Sequence, residues 1–509
     1  MRRFEKECES GLEYLLPDYM GDVKKLLISR ARIVPAEKFV SDGAVEVSGS
    51  VEYNLIYLDS QGKLTEVNAS SDFSDVFSVD SDTYVDAMEE SRVGALKVRV
   101  TGPRKISLKA DVRNILTVSE EYETSVEGNV FSEEGRAIEK CLAEISYASS
   151  VFERSAVTEY AEVLESFDDI SYDGAEIICV NTSAKISEAL VSSGEVSVKG
   201  EHTVSAVLVL PEGTPRAIRK SFPFEEKIAL EGAEDGMNAL ASCDVCSSSV
   251  SLSADGEYMS AIANFSAQYS VELLQNKTVE VITDAYTPGC ECKNKYSDTE
   301  FLEHIKAGRE LFYVTLKCER AEERLEGLSE VVSLSGELRG ISSEIVNDGA
   351  KISGDIIVSG LGYETNVDGS ITYLPFKIQG SFEENVNIDC QIKDKTILDA
   401  TLSIEDLEAV NDGDYLTVRC AISVKYHLSA AKPVRLLTYC EAVESDDNAP
   451  KKATVTVYYP RGGERLFDVA KKYKTTSLKI ARDNDLSDQA LSSFDTHDSL
   501  AGVKKLIIR

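Results

Sequence analysis

Apolar residues recur at every second position along most of this chain, the spacing of strands that bury one face. Near the start, Asp42-Gly43 leads into Val45 and Val47. After Gly49 come Val51, Tyr53, Leu55 and Tyr57, and then Gly62. The same layout returns twice. Ser193-Gly194 is followed by Val196, Val198, Gly200, Val204, Ala206, Leu208 and Gly213, and Asp348-Gly349 by Ile352, Gly354, Ile356, Val358, Leu361 and Gly369. The second glycine stands thirteen residues before the third in the first two copies and fifteen in the last, and each copy then reaches a Phe: Phe73, Phe224 and Phe382. Glycines at these points supply turns or bulges. A second pair of strands follows in each copy: Leu96 to Val112 around the turn Gly102-Pro103-Arg104-Lys105, Val250 to Ala263, and Leu402 to Ile422. Self-similarity at this period predicts a mainly β chain of three tandem β-sandwich-like units, spanning 1–130, 131–300 and 301–445.

The period changes at the end of the chain. A polar linker, 446–452, carries Asp446, Asp447, Asn448 and Pro450, a composition that predicts a flexible tether isolating the C-terminal tail. In 453–509, Val455 and Val457 alternate as in a strand, Gly462-Gly463 breaks it, and Leu466, Val469, Ala470 and Tyr473 share one helical face. Thr476 or Ser477 caps a second helix with Leu478, Ile480 and Ala481, and Leu506 and Ile508 alternate again. The expected tail is a small α+β domain of order βααβ.

Charge narrows the function classes. The 509 residues carry a formal net charge of −34 and a pI near 4.6, which argues against nucleic acid and anionic membrane surfaces as partners. From Ala453 onward, ten Lys and Arg face seven Asp and Glu, so the tail is +3 and the remainder −37. Either the tail docks on a partner that the body would repel, or a small module simply has ordinary surface charge. Met1-Arg2-Arg3-Phe4-Glu5-Lys6 opens a charged segment without the apolar run of an export signal, and no stretch approaches the roughly eighteen apolar residues of a membrane span. Most of the eleven Cys, such as Cys179, Cys390 and Cys420, sit singly in alternating stretches, as reduced thiols of a cytoplasmic protein do.

The tail resembles a LysM module, on Tyr459-Pro460-Arg461-Gly462-Gly463-Glu464-Arg465-Leu466-Phe467-Asp468-Val469-Ala470 and the closing Gly502 to Arg509. Three β units ending in such a tail resemble the SipL-type spore coat proteins of clostridia, whose repeat is the SPOCS domain. That resemblance rests on Leu16-Pro17-Asp18-Tyr19-Met20, the Gly43 to Tyr57 block, Thr101-Gly102-Pro103-Arg104-Lys105-Ile106 and the tail. It implies a non-enzymatic adaptor of endospore coat assembly in the mother-cell cytoplasm, at the forespore surface. It also implies docking of the LysM-like tail on the coat's basal scaffold ATPase. The alternative is a peptidoglycan- or GlcNAc-binding envelope protein.

In LysM modules the sugar lies between the loop opening the first helix and the loop after the second, which places Gly463, Glu464, Arg465, Leu466 and Asn484 at the candidate partner- or glycan-binding site. The family often has Gly-Asp-Thr/Ser-Leu where this chain has Gly463-Glu464-Arg465-Leu466, and 484–502, with Phe494 and His497, is longer than usual. Arg465 in place of a small hydroxyl suits a carboxylate on a protein partner better than a sugar, with a purely structural role as the third possibility. Cys243-Asp244-Val245-Cys246 and Cys290-Glu291-Cys292 are the one metal-like constellation, a weak candidate for structural zinc weighed against two unrelated pairs of reduced thiols. His202, His304, His427 and His497 are each solitary and read as structural. The basic turn Gly102 to Lys105 is either a contact point or a solvated hairpin turn. No phosphate-binding loop, nucleophile elbow or His-Glu-x-x-His is present, so no catalytic residue and no cofactor are expected.

Overall fold

The computed structural model describes the chain except residues 1, 35, 42, 80–84, 121–128, 132–137, 168–173, 256–257, 347–348, 389–394, 444–454, 462–463, 487–499 and 501–502. The described residues are mainly strand. At the start, β1 (Arg2–Leu15), β7 (Lys105–Glu120) and β6 (Val85–Gly102) make a sheet in the order β1-β7-β6. Opposite lies a sheet centred on β4 (Ala44–Asp59). One of its edges carries β2 (Val23–Ile33) and the short β3 (Glu37–Ser41), and the other carries β5 (Leu64–Ser78). The alternating residues meet between the sheets: Val45, Val47, Tyr53, Leu55 and Tyr57 of β4 share a buried core with Ile106, Leu108, Ala110 and Val112 of β7.

The same wiring recurs further along. Strands β10 (Thr158–Phe167), β15 (Tyr258–Tyr286) and β14 (Asn238–Asp255) form one sheet in the order β10-β15-β14, and β11 (Glu176–Ser192), β12 (Glu195–Val209) and β13 (Pro215–Ala229) form another in sequential order. Next, β16 (Glu291–Glu319), β21 (Tyr415–Val443) and β20 (Thr396–Asp412) pair as β16-β21-β20, beside β17 (Glu330–Val346), β18 (Gly349–Thr365) and β19 (Ile371–Asn387). The glycines singled out in the sequence sit directly across from the phenylalanines: Gly49 opposes Phe73, Gly200 opposes Phe224 and Gly354 opposes Phe382. Each ring lies over its glycine. A Cβ on Gly200 would stand 2.7 Å from Phe224 Cζ and 2.1 Å from the Lys185 carbonyl oxygen, so no side chain fits there.

Three strands run on past the sandwiches. The second half of β15 pairs with β9 (Glu139–Arg154), and the first half of β16 pairs with the end of β21, along which β8 (Asn129–Phe131) runs parallel. The two ribbons pack through Ile282, Ala285, Leu437 and Cys440, with Leu142 and Tyr296 against them. The limits expected at 130/131 and 300/301 therefore fall inside β8 and β16, because paired strand continues through both points.

The tail has the expected order: β22 (Thr456–Tyr458), α1 (Leu466–Lys472), α2 (Ser477–Asp483) and β23 (Leu506–Ile508), with β22 antiparallel to β23. Thr476 caps α2 by accepting the Lys479 N–H at 3.1 Å. The linker 446–452 lies outside the described residues, but the tail is not isolated. Leu466, Phe467, Val469, Ala470, Ile480, Ala481, Leu506 and Ile508 share one core with Cys141 of β9 and Tyr286 of β15. The expectation of a free tether gives way to an apolar seat at the end of the ribbons. Among the described residues, no helix is long and apolar enough to cross a membrane, a statement that leaves β-barrels untouched.

Candidate docking module

The tail and its seat bring together most of the residues singled out around 463–484. The Glu464 carboxylate precedes α1 and accepts the Tyr458 hydroxyl at 2.8 Å and the Arg461 N–H at 2.9 Å. The Arg461 amide, then the phenol, hold its pKa below the ordinary carboxylate value. Arg465 is the N-cap residue of α1. Its Nε and Nη2 donate to both oxygens of Asp468 at 2.9 Å, and its Nη1 lies 2.8 Å from Cys141 Sγ on β9. The hydrogen bonds to Asp468 raise the guanidinium's already high pKa. Leu466 is buried. The Asn484 amide donates to Ile480 O at 2.8 Å and Ile507 O at 2.7 Å, and its Oδ1 accepts the Ile507 N–H at 2.6 Å, tying the end of α2 to β23. Gly463, Phe494 and His497 lie outside the described residues. Glu464, Leu466 and Asn484 thus spend their side chains inside the tail, and Arg465 spends its own at the seat.

The seat is built from ribbon ends. Tyr286 donates its hydroxyl to Thr475 O at 2.9 Å and stands edge-on to Phe467, with ring centroids 5.1 Å apart. The Gly289 N–H donates to Lys474 O at 2.9 Å. Lys471 pairs with Asp284, and Lys474 with Glu291 at 3.2 Å. Asp284 also accepts from Asn294 and Tyr296, each at 2.9 Å, so this half-buried carboxylate joins both ribbons to α1. Part of the charge asymmetry seen in the sequence is therefore used within the chain. Nothing local in the sequence marked Cys141, Asp284 or Tyr286, since the tail reaches them only through the fold.

The Cys pairs do not converge. Cys243 is paired with Tyr269 in the middle of β15, whereas Cys290 and Cys292 follow the far end of that strand. Cys292 Sγ instead accepts the Thr287 N–H at 3.1 Å beside Cys440, and desolvation raises the Cys243 and Cys440 thiols. Among the described residues, no three His, Cys, Asp or Glu are grouped to hold a metal; Cys390 is not among those residues.

His202 fills the core of the middle sandwich. Its Nε2 is 2.7 Å from the Tyr269 hydroxyl, which lies 2.6 Å from that of Tyr160, and Tyr160 is 2.9 Å from Glu226. Burial pushes the His202 pKa down to about 4. His304 and His427, solitary in sequence, meet in the fold: His304 Nδ1 lies 2.5 Å from His427 Nε2, and His304 Nε2 lies 3.2 Å from Ser149 O on β9. Burial, then His304, lowers His427 to about 4. The sequence carried no sign of this pair, because the strand register and a bulge between His304 and Lys306 create it. In the basic turn, Arg104 donates to Leu16 O at 3.1 Å, Pro17 O at 2.6 Å and Met20 O at 3.1 Å, fastening the Leu16 to Met20 segment within its own unit.

Residues 174–253 match the family model described as "SipL, SPOCS domain". That span takes in β11, β12, β13 and most of β14. A comparison with curated proteins gave no match. A solved structure described as "Crystal structure of lipopolysaccharide binding protein" has 7% identity and a TM-score of 0.09, with 52% of this chain and 91% of that chain covered; no likeness of fold is drawn at that score.

Proposed function

We propose that this chain is a non-enzymatic adaptor of spore coat assembly: three SPOCS-like sandwiches carrying a LysM-like docking tail. The carrying observation is the SPOCS match over 174–253, in a sandwich whose strand wiring and glycine–phenylalanine pairs recur on either side. The tail's strand–helix–helix–strand order supports the LysM-like reading. Its partner in this reading is the coat's basal scaffold ATPase, bound in the mother-cell cytoplasm. Glu464 and Asn484 turn inward, which favours a protein partner over a sugar held between their loops. Several weak contacts from linked units raise avidity without one tight site.

The test is binding of the purified full-length chain to purified scaffold ATPase, beside sedimentation with purified peptidoglycan. Saturable ATPase binding without peptidoglycan retention is expected. Peptidoglycan retention without ATPase binding overturns the adaptor reading. Arg465→Ala, which loosens the seat through Cys141 and Asp468, should weaken ATPase binding about two- to tenfold with the β signal in circular dichroism unchanged. Unchanged affinity would remove Arg465 from the docking role.

A further inference from the structure

Two exposed sheet faces in this molecule are complementary. In the tail, Leu506 and Ile508 of β23 face the core, so the alternate positions of both strands face outward. On and beside β22 these are Val455, Val457 and Tyr459, which are 52%, 51% and 69% exposed. Val457 is paired with Ile507, and exposed Lys505 and Arg509 flank β23 on either side. Arg461, also exposed, follows Tyr459 by two residues. The result is an apolar stripe rimmed by cations.

The second face belongs to the first sandwich. There the register runs Phe39 to Glu46 to Val76 across β3, β4 and β5. Val45, Val47 and Phe77, the neighbours in the alternate positions, are buried in the core, so this row points away from it. Phe39 is 68% exposed and Val76 50%. Exposed Glu37 flanks Phe39 on β3, which is an edge strand of its sheet. The row sets the exposed Glu46 carboxylate between two exposed apolar side chains, with Glu37 beside it and the Lys6 ammonium donating to Val76 O. Among the described residues, these side chains stay exposed, and sheet faces of this kind pack at about 10 Å.

We propose that the β22–β23 face of one copy packs on the Phe39–Glu46–Val76 face of a second copy. Charge selects this occupant: the tail is +3 and the body −37, so each copy carries both halves of the attraction. The contact joins two different surfaces, so it is head-to-tail and propagates into open chains of molecules instead of closing as a symmetric dimer. Its small area makes it a weak contact that needs high local concentration. Contact between copies does not depend on the coat partner.

Sedimentation velocity of the purified full chain, from about 1 to about 200 μM, tests it in about 50 mM and about 500 mM salt. The expected result is a sedimentation coefficient that climbs with concentration at low salt and flattens at high salt. Val457→Asp and Phe39→Asp, both at exposed positions, should each abolish the climb with circular dichroism unchanged. Lys505→Glu and Glu46→Lys should each weaken association about tenfold, and the double variant should recover it. A monomer at every concentration overturns the proposal. So does association indifferent to these substitutions, which would place the contact elsewhere. A monomer that still binds the scaffold ATPase sinks this inference alone and leaves the adaptor reading standing.

Discussion

The middle sandwich and the tail draw their cores from different sources. The sandwich closes its core from its own strands: Val196, Val198, Ala267, Val271 and Leu273 are all buried, and the His202–Tyr269–Tyr160–Glu226 chain gives buried polar atoms partners inside the same unit. Among the described residues, the tail has two helices of seven residues and two strands of three, a small core. It completes its core with Cys141 and Tyr286, and adds two ion pairs to the ribbons. The tail's core thus reaches into the ribbons, whereas the middle sandwich has a core of its own and meets its neighbours in a second cluster, through Ile178, Cys179 and Val207.

The sharpest way to break that contrast is Phe467→Ala. This ring is buried and spans the tail core and Tyr286, so its loss should cost about 3–5 kcal/mol. Limited proteolysis should release the tail while the main thermal transition of the β body holds; a tail that stays protected would mean that it folds without the seat. The reverse substitution is Gly200→Val, where no room exists for a Cβ. It should destabilise the middle sandwich by about 1–3 kcal/mol and leave the tail seated, read as a lowered melting temperature with unchanged proteolytic protection of the tail.

Acid should act more gently, and on the body. His202 and His427 have folded pKa values of about 4 against an ordinary 6.5, so between those values the unfolded chain holds more protons. Their contribution is complete above pH 6.5 and is lost as the pH falls toward about 4. Glu66, raised by burial to about 7, works in the opposite sense, favouring the folded chain at low pH. Melting temperature followed from pH 7 to 4 should fall less steeply in His427→Gln than in the parent chain. An identical slope would show that the His304–His427 contact does not stay deprotonated.

Much of the sandwich was legible because alternation and turn chemistry are local. The alternation of Val45 and Val47 and of Val51 to Tyr57 was legible, but Gly49, read as a turn or bulge between two strands, lies inside one continuous β4, directly across from Phe73. The ribbons were not legible. Nothing in the alternation of Glu291 to Glu319 says where a strand leaves one sandwich and continues alone, so the expected limits cut through β8 and β16. In the tail, the order of elements was legible, but the direction of Glu464, Arg465 and Asn484 was not: spacing places a residue in a loop and does not say whether its side chain faces outward or closes the module's own hydrogen bonds. The seat and the histidine pair depend on residues more than a hundred positions apart, which no local pattern joins.

The long pairing of β16 with β21 has a mechanical side. Both strands reach the seat with their outer ends, Glu291 and Val443, lying side by side. A load that separates those ends opens the ladder one rung at a time, the geometry of a zipper. The seated tail bonds Asp284, Gly289 and Glu291 beside that end, on the β15 and β16 side of the ladder, so the first rung to open lies next to the docked module.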